Sequence, residues 1–312
     1  MTNQGHVLIT GATGGLGRRT ALNLASRGFD LLIGGRRPDA VDAVCQEIRA
    51  KTGRDARPFV ADLADLADVR RAVEVLKADE GLRLHGFVAN AGINTLRDQR
   101  SKDGYELTFA VNVLSHQLLL LELADRLAAG ARVVIVSSGV HDPDNRLARR
   151  FGIPMPDWIG TRALALPEEA PETHRTLDGR QRYSNSKLAN VLQARALQRQ
   201  LRESGGDVDV FAIDPGLMVD TDLAREIPAI LRPILRVIGR LLTPFVDNMR
   251  LSPVAAGHVA DLISDPKWSG TGFAYFDGDH RRPPSPDALR DDLRDELWRE
   301  SVQLLKPAEA PI

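Results

Sequence analysis

The feature that most constrains the fold is a short apolar run followed at once by a glycine-rich turn and a helical pattern. The run is His6–Thr10, the turn is Gly11–Gly17, and the helical pattern extends from Arg18 to about Arg27. This order is typical of a dinucleotide-binding α/β unit, because glycines let the backbone approach a pyrophosphate at the helix N-terminus. A glycine-rich turn that binds no cofactor is the alternative.

Strand-like runs and helical patterns alternate along the rest of the chain. This alternation predicts a Rossmann-type α/β fold, a doubly wound seven-stranded parallel sheet with helices on both faces. One domain over residues 1–312 is sufficient, and 43% hydrophobic residues provide a core. The predicted strands are His6–Thr10, Leu31–Gly34, Pro58–Ala61, Gly86–Ala89, Val133–Val136, Val208–Ile213 and Gly272–Phe276. Long helices are expected over Glu106–Leu127, Ser252–Ile263 and from Pro286 to about Leu305.

Two arginines follow the second predicted strand in the sequence Gly35-Arg36-Arg37. A site for NAD often presents an acidic residue here to the ribose hydroxyls. A guanidinium can instead pair with a 2′-phosphate, so the arginines favour NADPH over NADH. Arg36 is the better candidate because it comes first after the strand, with Arg37 as a helper. Exposed arginines without a ligand are the alternative.

Tyr183 and Lys187 lie four residues apart in a predicted helix, which places both side chains on one face, one turn apart. A phenol is a poor acid or base at neutral pH, and a nearby ammonium stabilises the phenolate and lowers the pKa of the phenol. The pair could therefore exchange a proton with a substrate oxygen. A chance pair on a long helix is the alternative.

These features join further motifs in one order along the chain. The motifs are Thr-Gly-x-x-x-Gly-x-Gly from Thr10, Asn90-Ala91-Gly92, Asn112 inside an apolar helix, Ser137-Ser138 after a strand, and Tyr183-x-x-x-Lys187. Together they resemble the short-chain dehydrogenase/reductase family, from Thr10 to the last strand. The resemblance implies an NADPH-dependent oxidoreductase whose cofactor-binding residues are Gly11, Thr13, Gly14, Gly15, Leu16, Gly17, Arg36, Arg37, Asp62, Leu63, Asn90, Ala91, Gly92, Tyr183, Lys187, Pro215, Gly216 and Thr221.

The resemblance also implies a catalytic set of Asn112, Ser138, Tyr183 and Lys187. Ser138 and Tyr183 would hold the reacting oxygen and Tyr183 would supply the proton. Lys187 would lower the pKa of Tyr183 and bind the nicotinamide ribose, and Asn112 would hold a water of a proton relay. Asn112 as an ordinary core asparagine is the alternative.

Two other residues keep a structural alternative beside their implied contact with the cofactor. Asp62 could cap the helix that follows it. Asn90 could serve mainly to brace the sheet.

Within the family, the chain is most similar to the retinol dehydrogenase and light-dependent protochlorophyllide reductase branch. The similarity rests on Gly35-Arg36, on the long insertion after Ser138, on residues 214–228, and on the run Leu251–Gly257 before Ser264-Asp265-Pro266. The protochlorophyllide reductase has a cysteine just after its Pro-Gly turn, whereas Leu217 stands there in this chain. A dark carbonyl reductase or dehydrogenase is therefore expected.

Two segments are candidates for contact with substrate. Residues 139–182 are a long insertion between Ser138 and Tyr183, and could line a pocket or form a surface loop. Residues 217–250 are apolar, with Arg232, Arg236 and Arg240 at intervals of four, and could be a lid over a bulky apolar substrate. The same segment could lie on a membrane surface or pack on the body without binding anything.

Composition excludes several classes of function. The net charge of −1 gives no reason to expect nucleic-acid binding, and Cys45 as the only cysteine excludes an intrachain disulfide and a multi-cysteine metal site. Residues 1–5 lack the order of a signal peptide, so a cytoplasmic protein is expected.

The sequence favours carbonyl–alcohol interconversion on a bulky apolar molecule. Reduction of a carbon–carbon double bond in an enone or tetrapyrrole is the second possibility, and a non-catalytic NADPH sensor the third. The number of subunits stays open.

Overall fold

The computed structural model describes residues 5–174, 177–218 and 249–306. Its strands are β1 (His6–Ile9), β2 (Asp30–Gly35), β3 (Ala56–Val60), β4 (Leu84–Ala89), β5 (Leu127–Val136), β6 (Val208–Asp214), β7 (Leu217–Met218), β8 (Met249–Arg250), β9 (Phe273–Asp277) and β10 (His280–Arg282).

The main sheet has eight strands in the order β10-β9-β6-β5-β4-β1-β2-β3. The seven predicted strands pair in parallel, as expected for a doubly wound sheet. The predicted number of strands, seven, is one too low for this sheet. The eighth strand is β10, which pairs antiparallel with β9 at the edge. Its three residues, His280–Arg282, are all exposed, so no apolar pattern marked them as a strand.

The helices are α1 (Gly15–Ser26), α2 (Pro38–Thr52), α3 (Leu66–Lys77), α4 (Leu107–Phe109), α5 (Ser115–Glu122), α6 (Arg146–Arg150), α7 (Thr161–Ala165), α8 (Gly179–Glu203), α9 (Ser252–Ser264), α10 (Pro286–Leu289) and α11 (Asp291–Leu304). A π-turn, Ala110–Leu114, joins α4 to α5. Single 3-10 turns cover Ala124–Arg126, Gly139–His141, Pro167–Glu169, Glu172–His174 and Pro266–Trp268.

Three helix boundaries differ from the predictions. Helix α1 begins at Gly15 rather than Arg18, so the end of the glycine turn forms the first turn of the helix. The long helix expected over residues 106–127 is interrupted by the π-turn and its last α-helical residue is Glu122. The expected terminal helix is divided between α10 and α11 at Arg290, whose backbone is extended.

Hydrophobic layers cover both faces of the main sheet, because successive strand residues point to opposite faces. On β1, Val7 and Ile9 belong to the layer that includes buried residues of α1, α2 and α9. Leu8 belongs to the opposite layer, with buried residues of α3, α5, α8 and α11. The carboxyl ends of the parallel strands meet at one edge, where ligands bind in sheets of this kind.

The predicted lid over residues 217–250 falls mostly outside the described residues. Only its two ends are described, where β7 and β8 pair in parallel as a separate two-stranded sheet. Contact of this segment with substrate or membrane therefore stays a prediction. Among the residues that are described, no helix combines the length and the apolar character needed to cross a membrane.

Candidate active site

The turn between β1 and α1 has glycines of two kinds. A Cβ on Gly11, whose φ is +63°, would lie 2.9 Å from Ala91 Cα, and a Cβ on Gly17 would lie 2.5 Å from the Gly11 carbonyl oxygen. A Cβ on Gly14 or Gly15 would meet no atom within 4 Å. Close packing therefore requires glycine at positions 11 and 17. Gly14 and Gly15 instead border open space at the start of α1. The next residue, Leu16, is buried in the core.

Asn90, at the end of β4, braces this turn. Its Nδ2 donates to the carbonyl oxygens of Thr10 (2.8 Å) and Gly11 (3.3 Å). The backbone N–H groups of Asn90 and Ala91 both donate to Thr10 Oγ1 at 3.0 Å. The structure thus gives Asn90 a bracing function at the edge where the turn opens.

The arginine pair follows β2 on the same edge of the sheet. Arg36 and Arg37 are both exposed, and Arg37 is the residue before α2. A Cβ on Gly35 would lie 2.6 Å from Thr13 Cγ2, so the end of β2 packs directly against the glycine turn. Both guanidinium groups therefore start beside the turn and extend toward solvent.

Asp62 is not the N-cap that the sequence allowed. Its Oδ1 accepts from the N–H of Ala64 at 3.0 Å, within a turn. The N-cap of α3 is Asp65, whose carboxylate accepts from the N–H of Asp68 at 3.1 Å. The turn moves the helix start by three residues, which leaves Asp62 at the end of β3, with Leu63 half-buried against the core.

Asn112 lies in the π-turn and is 1% exposed. Its Oδ1 accepts from the N–H of Ile93 (2.8 Å), and its Nδ2 donates to the Ile93 carbonyl (3.0 Å) and to Ser186 Oγ (2.9 Å). Its side chain therefore joins the segment after β4 to the helix of Tyr183. A π-turn widens a helix locally and often occurs at functional sites.

The end of β5 faces the same helix. Ser137 Oγ donates to the Lys187 carbonyl oxygen at 2.8 Å. The Ser138 side chain is close enough to Tyr183 to lower the pKa of the phenol. Two consecutive serines thus have different partners, and Ser138 is the one that meets the phenol.

Burial is the main influence on the charges of Tyr183 and Lys187. It raises the pKa of Tyr183 to about 12, with the Asp214 carboxylate acting in the same direction and the hydrogen bond from Ser138 opposing it. It lowers the pKa of Lys187 to about 8, against the attraction of Asp214. Lys187 Nζ lies 5.5 Å from the centroid of the Tyr183 ring.

The expected lowering of the Tyr183 pKa is therefore wrong for the protein chain alone. The free energy needed to bury a phenolate exceeds the attraction of an ammonium at this distance.

Gly92 and Lys187 are close neighbours. A Cβ on Gly92 would lie 3.7 Å from Lys187 Nζ and 3.3 Å from Asn112 Oδ1. The structure therefore brings the segment after β4, the π-turn and α8 together at the carboxyl edge of the sheet.

The turn after β6 completes this edge. Asp214 is 3% exposed, and its Oδ1 accepts from the N–H of Gly216 at 2.9 Å. Pro215 is buried between them, and Gly216 has a φ of +83°. Thr221, the last expected cofactor contact, lies outside the described residues.

Sequence reasoning assigned no role in the site to four buried polar residues, Asp214, Asn190, His116 and His141. His141 follows β5 within the insertion and is 1% exposed. Its Nδ1 donates to the Ser138 carbonyl (2.8 Å) and its Nε2 accepts from the N–H of Ser285 (3.3 Å). The available signal for Asn190 and His116 was a polar residue within an apolar run.

His116 connects Thr10, before the glycine turn, to Asn112 in the π-turn. Because Asn112 O can only accept, His116 Nδ1 donates to it (3.2 Å), which leaves His116 Nε2 to accept from Thr10 Oγ1 (2.9 Å). Burial lowers the pKa of His116 to about 4. A neutral histidine thus links the glycine turn to the π-turn.

The insertion, described over residues 139–174 and 177–182, crosses the start of α8. Ser184 Oγ donates to the Pro154 carbonyl at 2.8 Å, and the N–H of Asp157 donates to Asn185 Oδ1 at 2.7 Å. Both α8 residues are neighbours of Tyr183 in the helix. Of the two interpretations of the insertion, this contact favours a segment that borders the site.

Comparisons with known proteins cover nearly the whole chain. A family model described as short chain dehydrogenase matches residues 5–145. Mouse (Mus musculus) polyprenol dehydrogenase is 33% identical over 95% of this chain and 82% of its own length. Human (Homo sapiens) retinol dehydrogenase 12 is 32% identical over 96% and 85%, respectively.

Solved structures are similar over comparable lengths. An uncharacterised protein from Mycobacterium paratuberculosis has 26% identity and a TM-score of 0.71, over 99% of this chain and 96% of that chain. A short chain dehydrogenase from Burkholderia cenocepacia, solved in complex with NADP, has 25% identity and a TM-score of 0.62, over 88% of this chain and 97% of that chain.

Proposed function

Because the chain belongs to the short-chain dehydrogenase/reductase family, in its retinol dehydrogenase-like branch, we propose that it transfers hydride between NADPH and the carbonyl or alcohol carbon of a bulky apolar molecule. The observation that carries the proposal is the meeting of Ser138, Tyr183 and Lys187 at the carboxyl edge of the sheet. A hydroxyl, a phenol and an ammonium there can hold and protonate one substrate oxygen.

The residues at the glycine turn fit a dinucleotide. Gly14 and Gly15 border open space that a side chain would occupy, and α1 begins there without a side-chain cap. Its first N–H groups are therefore available for a pyrophosphate. Arg36 and Arg37 are exposed after β2, and their guanidinium groups can pair with a 2′-phosphate. When bound, the reduced cofactor supplies the hydride.

The chain's own residues favour protonation of the substrate oxygen. With a pKa of about 12, Tyr183 keeps its proton at neutral pH and can donate it as a hydride reaches the carbonyl carbon. With a pKa of about 8, Lys187 is mostly an ammonium at neutral pH and attracts the phenolate that forms. Ser138 holds the same oxygen as a second donor.

An apolar substrate is supported by the relatives' names and by the insertion. The relatives are named for retinol and polyprenol, which are long apolar alcohols. The insertion exposes the large side chains of Phe151 (60%) and Met155 (51%), close in sequence to the residues that contact α8. Contiguous exposed apolar patches often mark ligand-binding sites, which makes these two side chains candidates for contact with an apolar substrate.

The experiment is a binding and turnover assay on the purified chain. NADPH should bind more tightly than NADH, and NADPH should be consumed with bulky aldehydes or ketones such as retinal and a polyprenal. Tyr183→Phe removes the proton donor and should lower kcat by at least about 100-fold while NADPH still binds.

Two outcomes would contradict the proposal. NADPH consumption with enones but not with carbonyls would indicate reduction of carbon–carbon double bonds. NADPH binding without turnover of any substrate class, and a cellular function unaffected by Tyr183→Phe, would indicate a sensor.

A further inference from the structure

Asn190 is a buried amide that lies one turn after Lys187 on α8 and is 2% exposed. Both ends of the amide are bonded within the site. Lys187 Nζ donates to Asn190 Oδ1 at 3.2 Å, and Asn190 Nδ2 donates to the carbonyl oxygen of Asn112 at 2.8 Å. The amide thus joins the Lys187 ammonium directly to the backbone of Asn112.

Lys187 has one other acceptor among the described residues, the Val136 carbonyl oxygen at 2.9 Å. An ammonium has three N–H bonds, so two are used by the protein and one remains for a ligand. The two acceptors come from different elements, the end of β5 and the next turn of α8. Together they fix the direction of the third N–H.

We propose that Asn190 is a positioning residue, which holds the Lys187 ammonium in place and ties it to the backbone of the π-turn. The role in catalysis rests on the proposed function, but the hold on Lys187 does not. A hydrogen bond to a charged group is stronger than one between neutral groups. Removal of the Asn190 amide should therefore lower the pKa of Lys187.

The amide also limits where protons can travel. An amide accepts at oxygen and donates at nitrogen, but it does not pass a proton onward as a hydroxyl or a water does. The path from Lys187 toward the Asn112 carbonyl through Asn190 is therefore closed. A proton that refills the site must reach Lys187 from the side of its third N–H.

Three titratable groups lie near Lys187 besides its two acceptors. Tyr183 lies on the same helix, Asp214 is at the end of β6, and His116 is on α5. Asp214 raises the pKa of Lys187, whereas burial lowers it to about 8. Because the ammonium is buried, its two acceptors replace part of the hydration that it loses.

The test changes Asn190 and a matched amide on the same helix. Asn190→Leu keeps the approximate size and removes both bonds, and Asn190→Asp keeps the acceptor and adds a negative charge. Gln193→Met is the control, because Gln193 is fully buried and its Nε2 donates to Val113 O (3.2 Å) and Gln117 Oε1 (2.9 Å), not to Lys187.

The direct readout is an NMR titration of lysine Cε carbons in the chain without substrate. The signal of Lys187 is identified by its loss in Lys187→Arg, and the spectrum is simple because the six lysines are Lys51, Lys77, Lys102, Lys187, Lys267 and Lys306. The Lys187 pKa should fall by about one unit in Asn190→Leu and rise by about one unit or more in Asn190→Asp. Gln193→Met should titrate as the wild type does.

The proposal is overturned if Lys187 titrates alike in the wild type and both Asn190 variants, or if Gln193→Met shifts it as much as Asn190→Leu. If Asn190→Leu does not fold, the near-isosteric Asn190→Asp decides. The titration does not depend on turnover, so a chain that reduces no carbonyl could still show the shift.

Turnover provides the second readout. Loss of the Lys187 proton should cause activity to decline at alkaline pH, and this decline should move to lower pH in Asn190→Leu and to higher pH in Asn190→Asp. An alkaline decline that stays in place while the Lys187 titration moves would contradict the catalytic part of the proposal.

Discussion

At the scale of single residues, burial pushes both titratable side chains of the α8 pair toward their neutral forms. The pKa of Tyr183 is raised to about 12 and that of Lys187 is lowered to about 8. At neutral pH the phenol is therefore fully protonated and the amine is still mostly charged. This combination suits proton donation to a substrate oxygen.

Arg36 carries a prediction about cofactor choice at the same scale. Arg36→Ala should weaken NADPH binding by roughly 10- to 100-fold, because a guanidinium–phosphate hydrogen bond contributes about 1.5–3 kcal/mol. NADH, which has no 2′-phosphate, should bind almost unchanged. Equilibrium titration of both nucleotides measures the two changes.

The matched control for Arg36 is Arg202→Ala. Arg202 is also exposed, but it lies near the end of α8, far along that helix from Tyr183. Equal losses of NADPH and NADH affinity in Arg36→Ala would mean that the arginine does not bind the 2′-phosphate.

At the scale of elements, the insertion is held to the body by α11 as well as by α8. Glu296 of α11 accepts at Oε1 from the N–H of Thr161 (2.7 Å) and at Oε2 from Trp158 Nε1 (3.4 Å). The first N–H group of helix α7 therefore donates to a carboxylate from the C-terminal part of the chain. Negative charge is favourable at that position of a helix.

Glu296→Ala should loosen this part of the insertion without affecting the glycine turn. Loss of a charge-assisted hydrogen bond of about 1.5–3 kcal/mol should speed amide exchange at residues 158–162 by roughly 10- to 100-fold. Hydrogen–deuterium exchange measures the change, and NADPH affinity should be unaltered.

Glu296→Gln is the control for this anchor, because it keeps an acceptor oxygen for Thr161. Its exchange should lie between those of the wild type and the alanine variant. Unchanged exchange in Glu296→Ala would show that other contacts hold the insertion, such as the bond from the Arg162 N–H to Glu300 Oε2 (3.2 Å). A raised KM for an apolar substrate in the alanine variant would support a pocket-lining role.

At the scale of the whole molecule, buried histidines make folding depend on pH. Burial lowers the pKa of His116 to about 4 from 6.5, with a small contribution from the charge of Lys187. A histidine whose folded pKa is depressed stabilises the fold above its unfolded pKa, and this stability is lost as the pH falls toward the folded pKa. His141, also buried with a lowered pKa, acts in the same direction.

The His116 contribution should amount to about 2–3 kcal/mol between pH values of about 7.5 and 4.5. His116→Gln should reduce the loss of unfolding free energy over this range by that amount. Denaturant unfolding at a series of pH values measures it. Comparison with the variant also removes the opposing effect of buried Glu106, whose pKa is raised.

The control for His116 is His85→Gln, since His85 is exposed on β4. Its stability should change with pH as in the wild type. If His116→Gln has the same pH slope as the wild type, the histidine is not held neutral by burial.

The sequence by itself determined the order of strands and helices and the parallel sheet, because apolar runs, glycine turns and helical periods are local patterns. It also placed Ser138, Tyr183, Lys187 and Asn112 as one candidate set, because their motifs occur in a family order. Residues without an apolar pattern were less predictable, as the edge strand β10 and the start of α3 show.

Only the tertiary structure decided which polar groups meet. Asn190, Asp214 and His116 are separated in sequence from most of their partners, and no local pattern shows that the fold buries them together. The sign of the Tyr183 pKa shift was decided in the same way. Spacing on a helix fixes the distance to Lys187, but desolvation depends on all the elements that close around the phenol.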